Sequence, residues 1–148
     1  MKFFVMIHHS LTEDGVTVSW RAIERYHRKQ GWRDIGYHYG VEKTHDGWIA
    51  MVGRPEEDDA AACKEGFMNH MAVHICCVGN YDQIEPPEEM LNVLIGRLVV
   101  PLLKRYHLTE KQVLFHREYA KYKSCPGTKW DLEEFRSKVR AHLRGVGS

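Results

Sequence analysis

The chain has 148 residues, 21 Lys and Arg against 20 Asp and Glu, a net charge of +1 and 43% apolar residues. A chain of this length is expected to form one domain, residues 1–148, burying roughly 68–70% of its unfolded surface, and needs no disulfide or metal merely to fold. Its charges are interspersed with no basic stripe to track a phosphate backbone, and its apolar runs are far too short to span a bilayer, so nucleic acid and membrane insertion are poor fits.

The N-terminal "MKFFVMIHHS" carries one lysine and a short apolar stretch that stops at His8-His9 with no small-residue cleavage pattern after it. It reads as a first strand over 3–7 rather than a signal peptide, which implies a cytoplasmic protein. The four cysteines, Cys63, Cys76, Cys77 and Cys125, lack the spacing of a secreted disulfide framework and fit a reducing compartment. From Thr17, a possible N-cap, Trp20, Ile23 and His27 fall at helical spacing until Gly31. "IGYHYGVEK" and "GWIAMV" flank the turn signal "THDG" and predict a hairpin. "MAVHICCVG" is strand-like. "PPEEMLNVLIGRLVVPLLKRY" predicts a long helix with an apolar stripe from Leu91 to Leu103, kinked at Pro101 because proline lacks the backbone donor. "VLFH" is a short last strand, and Leu132, Phe135, Val139 and Leu143 mark a last amphipathic helix. Strands interleaved with helices give an α/β fold, one sheet packed against helices.

The segment "HREYAKYKSCPG" places His116 and Cys125 on one stretch with Lys123 between them. His8 and His116 both stand at carboxyl ends of predicted strands, where α/β sheets open into a ligand crevice. Two neutral imidazoles and a thiolate with a fourth position open are the donor set of a catalytic zinc. Hydrogen-bonded strand-end histidines beside a small buried cysteine are the plainer reading, and spacing alone favours it. A second set, His70, His74 and Cys76 in "HMAVHICC", lacks the glutamate of the zincin pattern and reads better as a histidine-bearing strand face. A third reading makes Cys125 a nucleophile paired with His116, its thiol acidified by Lys123. That leaves His8 without a role.

The ordered set "IHHS", "RYHRKQGWRDIGYHYGV", "VGR", "VHICCVGNYD", "FHRE" and "KSCPG" resembles zinc-dependent N-acetylmuramoyl-L-alanine amidases of type 2. These include phage lysozyme-type endolysins and share their fold with peptidoglycan recognition proteins. The resemblance covers nearly the whole chain, and "GWRDIGYHY" and "KSCPG" are its specific parts. It implies a central mixed β-sheet flanked by helices and hydrolysis of the amide between N-acetylmuramic acid and L-alanine. It also implies Zn²⁺ held by His8, His116 and Cys125, with Tyr37 and Lys123 as catalytic groups and Arg54 as a substrate-groove residue. His9 is expected to face away from His8. The chain departs from the family pattern at Cys63, where a groove histidine is common, and at His74, where a small residue is common. Both departures bear on the shape of the groove.

Three functions are weighed: a zinc amidase, as endolysin or recycling enzyme; a module that binds muropeptide without cutting it; and a cysteine hydrolase of another amide. The complete ligand set with Tyr37 and Lys123 favours the first. The expected partner is peptidoglycan or a muropeptide, and the expected state a monomer that reaches the wall by lysis or through a pore.

Overall fold

The computed structural model describes residues 1–12, 19–32 and 34–145. Among them five strands form one mixed sheet in the order β3-β2-β4-β1-β5. β1 (Phe4–His9) lies between two parallel neighbours, β4 (Ala72–Cys77) and β5 (Val113–Phe115). β2 (Tyr39–Thr44) runs parallel to β4 and antiparallel to β3 (Gly47–Val52), closing the expected hairpin at Thr44 and Gly47.

Side chains alternate across a strand, so each strand splits its residues between two faces. Val5 and Ile7 of β1, Val73 and Ile75 of β4, and Val113 and Phe115 of β5 share one core cluster. The helical segments that cover this face are α3 (Glu88–Val93), α4 (Val100–Arg105) and α5 (Leu132–Leu143). Phe135 and Val139 of α5 are buried against it, while Leu132 and Leu143 are partly buried at its border. The opposite face takes the other parity: Met6 and His8, His74 and Cys76, then Leu114. A helix of ten residues, α1 (Trp20–Lys29), lays Trp20 over it beside Cys76, and the short α2 (Met68–Met71) packs Met68 against Met6 and Leu114. This second face is therefore polar where the first is aliphatic.

The helix ends follow from local chemistry. The Ser19 hydroxyl caps α1 by accepting from the Ala22 N–H. The expected cap, Thr17, lies outside the described residues. Between α3 and α4, where a kink is expected at Pro101, the chain takes a π-helical stretch, Leu94–Val99, that ends two residues before the proline. There the Val100 N–H reaches back to the Ile95 carbonyl, and the wider turn accommodates a residue that cannot donate.

Candidate metal centre and active site

His8 lies near the carboxyl end of β1, 1% exposed, and β5 delivers His116 beside it, 6% exposed, in a short 3₁₀ turn (His116–Glu118). Their ring centroids are 4.6 Å apart. Cys125 arrives from the following loop, its Sγ 3.8 Å from His8 Nδ1 and accepting the His9 backbone N–H at 3.3 Å. One ligand atom from each of His8, His116 and Cys125 falls within 4.8 Å of the other two. The three residues singled out in the sequence thus converge from 117 positions apart.

The Cys125 loop is held from two sides. The Asp82 carboxylate accepts from Ser124 Oγ at 2.9 Å and from the Thr128 N–H at 2.8 Å. These bonds, the Thr128 N–H first, hold its carboxyl below the usual range. The Arg117 guanidinium donates to the Gly127 and Trp130 carbonyls, while its backbone N–H donates to the Cys125 carbonyl. Gly127 has φ +135°, and a Cβ there would lie 2.4 Å from the Tyr81 carbonyl carbon, so the loop packs as closely as it does only with glycine. The Cys125–Pro126 peptide is cis.

Burial sets the charge states. It lowers the His8 ring well below its usual value, with His74 and His116 adding to the effect. Burial and then the Lys123 ammonium bring His116 down to about 4. Both imidazoles are neutral at pH 7 and have lone pairs to give. Burial pushes the Cys125 thiol up to about 12, against a free nucleophilic thiolate, which needs a lowered value. A bound cation reverses that balance by deprotonating a coordinating thiol. Two neutral nitrogens and a sulfur fit zinc in the donor chemistry they offer.

Tyr37 stacks obliquely on His8 at 5.2 Å between centroids. Its surroundings push the phenol well above its ordinary value, burial first, then the neighbouring Cys76 and Cys125 thiols. The segment leading to it is fixed by His27, whose Nδ1 accepts the Gly36 N–H at 2.9 Å. Helical spacing alone marked His27 as an unremarkable face residue, and its role depends on a loop the pattern could not place. Lys123 is exposed and lines a groove of about 300 Å³ with His116, Tyr122, Cys63, Glu65 and Trp32 among its walls. Cys63, Glu65 and His116 form a second group with ligand atoms in reach of one another. It shares His116 with the first group, and Glu65 is already engaged by the Tyr122 hydroxyl at 2.8 Å.

Other expected residues sit differently. The Arg54 guanidinium donates to the carbonyls of Ile35 at 2.8 Å, Asp59 at 2.6 Å and Asp34 at 3.4 Å, bracing the wall around residues 34–61. His9 turns its Nδ1 to the Tyr81 N–H at 3.2 Å, away from the ligand group. His70 pairs with Asp59 at the surface, whereas His74 is fully buried behind His8, so these two share no site. Of the two departures from the family pattern, Cys63 does line the groove, and His74 does not.

A family model described as N-acetylmuramoyl-L-alanine amidase matches residues 3–128. The endolysin of Escherichia phage T7 is 33% identical over 138 residues, spanning 88% of this chain and 83% of that protein. Among solved structures, the endolysin N-acetylmuramoyl-L-alanine amidase LysCS from Clostridium intestinale superposes with a TM-score of 0.79 at 25% identity, covering 93% of this chain and 83% of that one. Drosophila peptidoglycan recognition protein LB gives a TM-score of 0.70 at 25% identity, covering 86% and 76%. With the family model spanning all five strands and all three residues of the ligand group, the chain belongs to the N-acetylmuramoyl-L-alanine amidase family.

Proposed function

We propose that this peptidoglycan amidase cuts the bond between N-acetylmuramic acid and L-alanine as a zinc enzyme, with His8, His116 and Cys125 as the ligands. The observation that carries the reading is the convergence of those three donors, neutral or metal-ionisable, beside an open groove. Bound there, zinc would supply Lewis acidity, the chemistry that acidifies water and polarises an amide carbonyl.

The chain's own side chains then have separate work. Tyr37, protonated at neutral pH and packed on His8, donates a hydrogen bond at the reacting centre in this reading and hands on a proton. Lys123 on the groove wall brings a positive charge to the side where an oxyanion develops. Arg54 serves substrate binding by holding the groove wall in place through its three carbonyl contacts. The similarity to phage endolysins supports a lytic role, with the protein reaching the wall after release from the cell. No helix among the described residues is long and apolar enough to cross a membrane.

The deciding experiment is product analysis with metal control. Purified peptidoglycan should yield stem peptides with free N-terminal alanine and intact glycan strands, activity should vanish with chelator, and zinc should restore it. New reducing sugar ends without new amine would reassign the enzyme as a glycosidase. Binding of muropeptide without turnover by the zinc-loaded protein would favour a recognition module. Metal analysis of Cys125→Ala, expected to lose tightly bound zinc, checks the ligand set.

A further inference from the structure

His74 has no part in the roles assigned so far, yet it is completely buried and aimed at a ligand. Parallel pairing of β1 and β4 sets Met6 opposite His74 and His8 opposite Cys76, so His74 lies one pleat behind His8 on the same face. Its Nδ1 is 2.8 Å from His8 Nε2, and its Nε2 is 2.6 Å from the Met68 carbonyl oxygen.

These two contacts determine where the protons are. A carbonyl only accepts, so His74 Nε2 carries the hydrogen and donates to Met68. In a neutral ring that leaves His74 Nδ1 as an acceptor. His8 Nε2 must then carry a hydrogen and donate to it. The lone pair of His8 is left on Nδ1, the atom that faces Cys125 Sγ. A second chain locks His74 in place. Its backbone N–H donates to His38 Nδ1 at 3.0 Å, and His38 Nε2 is bonded in turn to the Asp58 carbonyl at 2.8 Å. One chain runs from the Met68 carbonyl through both rings to the ligand atom, and the other holds the His74 backbone.

We propose that His74 is a positioning residue for the metal: acting through the His8 ring, it fixes the tautomer and orientation that present Nδ1 to the ion. Metal-bound histidines commonly donate their second N–H to a carboxylate, a carbonyl or water, and loss of such a partner costs 10–100-fold in metal affinity or activity. Here a neutral imidazole stands between the ligand and a backbone carbonyl, so the ligand is oriented without a further negative charge at the site. The inference rests on His8, His116 and Cys125 being the metal ligands.

Two substitutions separate orientation from packing. His74→Phe keeps a ring of similar outline and removes the acceptor; His74→Asn places a carbonyl oxygen near the position of Nδ1 and restores it. Zinc affinity, read by competition with a chromophoric chelator, should fall roughly 10–100-fold in His74→Phe, and His74→Asn should recover most of it. Nitrogen-15 spectra of the histidine rings in metal-free wild type, with His8 assigned against His8→Gln, should show His8 protonated at Nε2. That signature should persist in His74→Asn and give way to a tautomer mixture in His74→Phe. Wild-type His8 protonated at Nδ1 overturns the proposal without recourse to any variant. So does a folded His74→Phe protein with wild-type zinc affinity. If wild type itself binds no zinc, or Cys125→Ala binds it as tightly as wild type, the ligand assignment is what fails, and the role of His74 falls with it.

Discussion

Tyr37 is held between an imidazole and a thiol, and both contacts shape what its hydroxyl can do. Cys76 is wholly buried, and burial raises its thiol well above the ordinary value, so the pair stays protonated at neutral pH. Removing only the phenol oxygen in Tyr37→Phe keeps the ring packing on His8. Zinc content and muropeptide binding should therefore stay near wild type while kcat falls roughly 10²–10⁴-fold, the scale of a positioned acid–base group. Lys123→Ala should lose a comparable factor, mainly in kcat, if its charge serves the oxyanion rather than the ground state. Steady-state kinetics on a soluble muropeptide, with calorimetric binding measured separately, decides both. Wild-type rates in the two variants would make Tyr37 and Lys123 bystanders.

At the scale of elements, the ligand group depends on a loop that has no regular structure of its own and is tied down by Asp82 and Arg117. Asp82→Ala deletes two accepted bonds at a partly exposed carboxylate. A loss of about 1 kcal/mol in stability is expected, at the low end for charged hydrogen bonds because solvent competes. Zinc affinity should fall as well, because Cys125 sits between the two tethered residues. Urea unfolding and chelator competition on the one variant test both, and unchanged zinc affinity would show that the loop keeps its shape without the clamp. This clamp was illegible in the sequence, since Asp82 and Thr128 are 46 residues apart and share no pattern. Strands and helices were legible because alternation and helical spacing are local properties: the hairpin closes at "THDG", and the helix widens near Pro101, the residue without a donor. His8, His116 and Cys125 were legible as strand-end and loop donors, and only the family resemblance joined them. The His8–His74 contact could not be read, because it exists through the parallel register of β1 and β4, which no local spacing encodes.

For the whole molecule, the polar face of the sheet is a store of neutral histidines. His8, His38, His74 and His116 are each at most 6% exposed. Burial lowers all four, to about 4 for His116 and about 3 for His74. In the unfolded chain these rings titrate near 6.5. The unfolded state thus binds more protons than the folded one below that value, and stability falls as pH falls. The contribution is fully present above about 6.5 and is withdrawn on the way down, to about 4 for His116 and about 3 for His74. Each such histidine costs about 1.4 kcal/mol per pH unit inside its window. Urea unfolding of the chelated protein should therefore show near-constant stability from pH 8 to 7, then a steepening loss from pH 6.5 to 5 corresponding to more than one proton. Stability that stays flat down to pH 5 would mean that these rings are hydrated or already charged in the folded protein. Zinc, by binding the folded state, should raise stability at neutral pH. It should also make the acid loss steeper, because protons and the metal compete for the same nitrogens and sulfur.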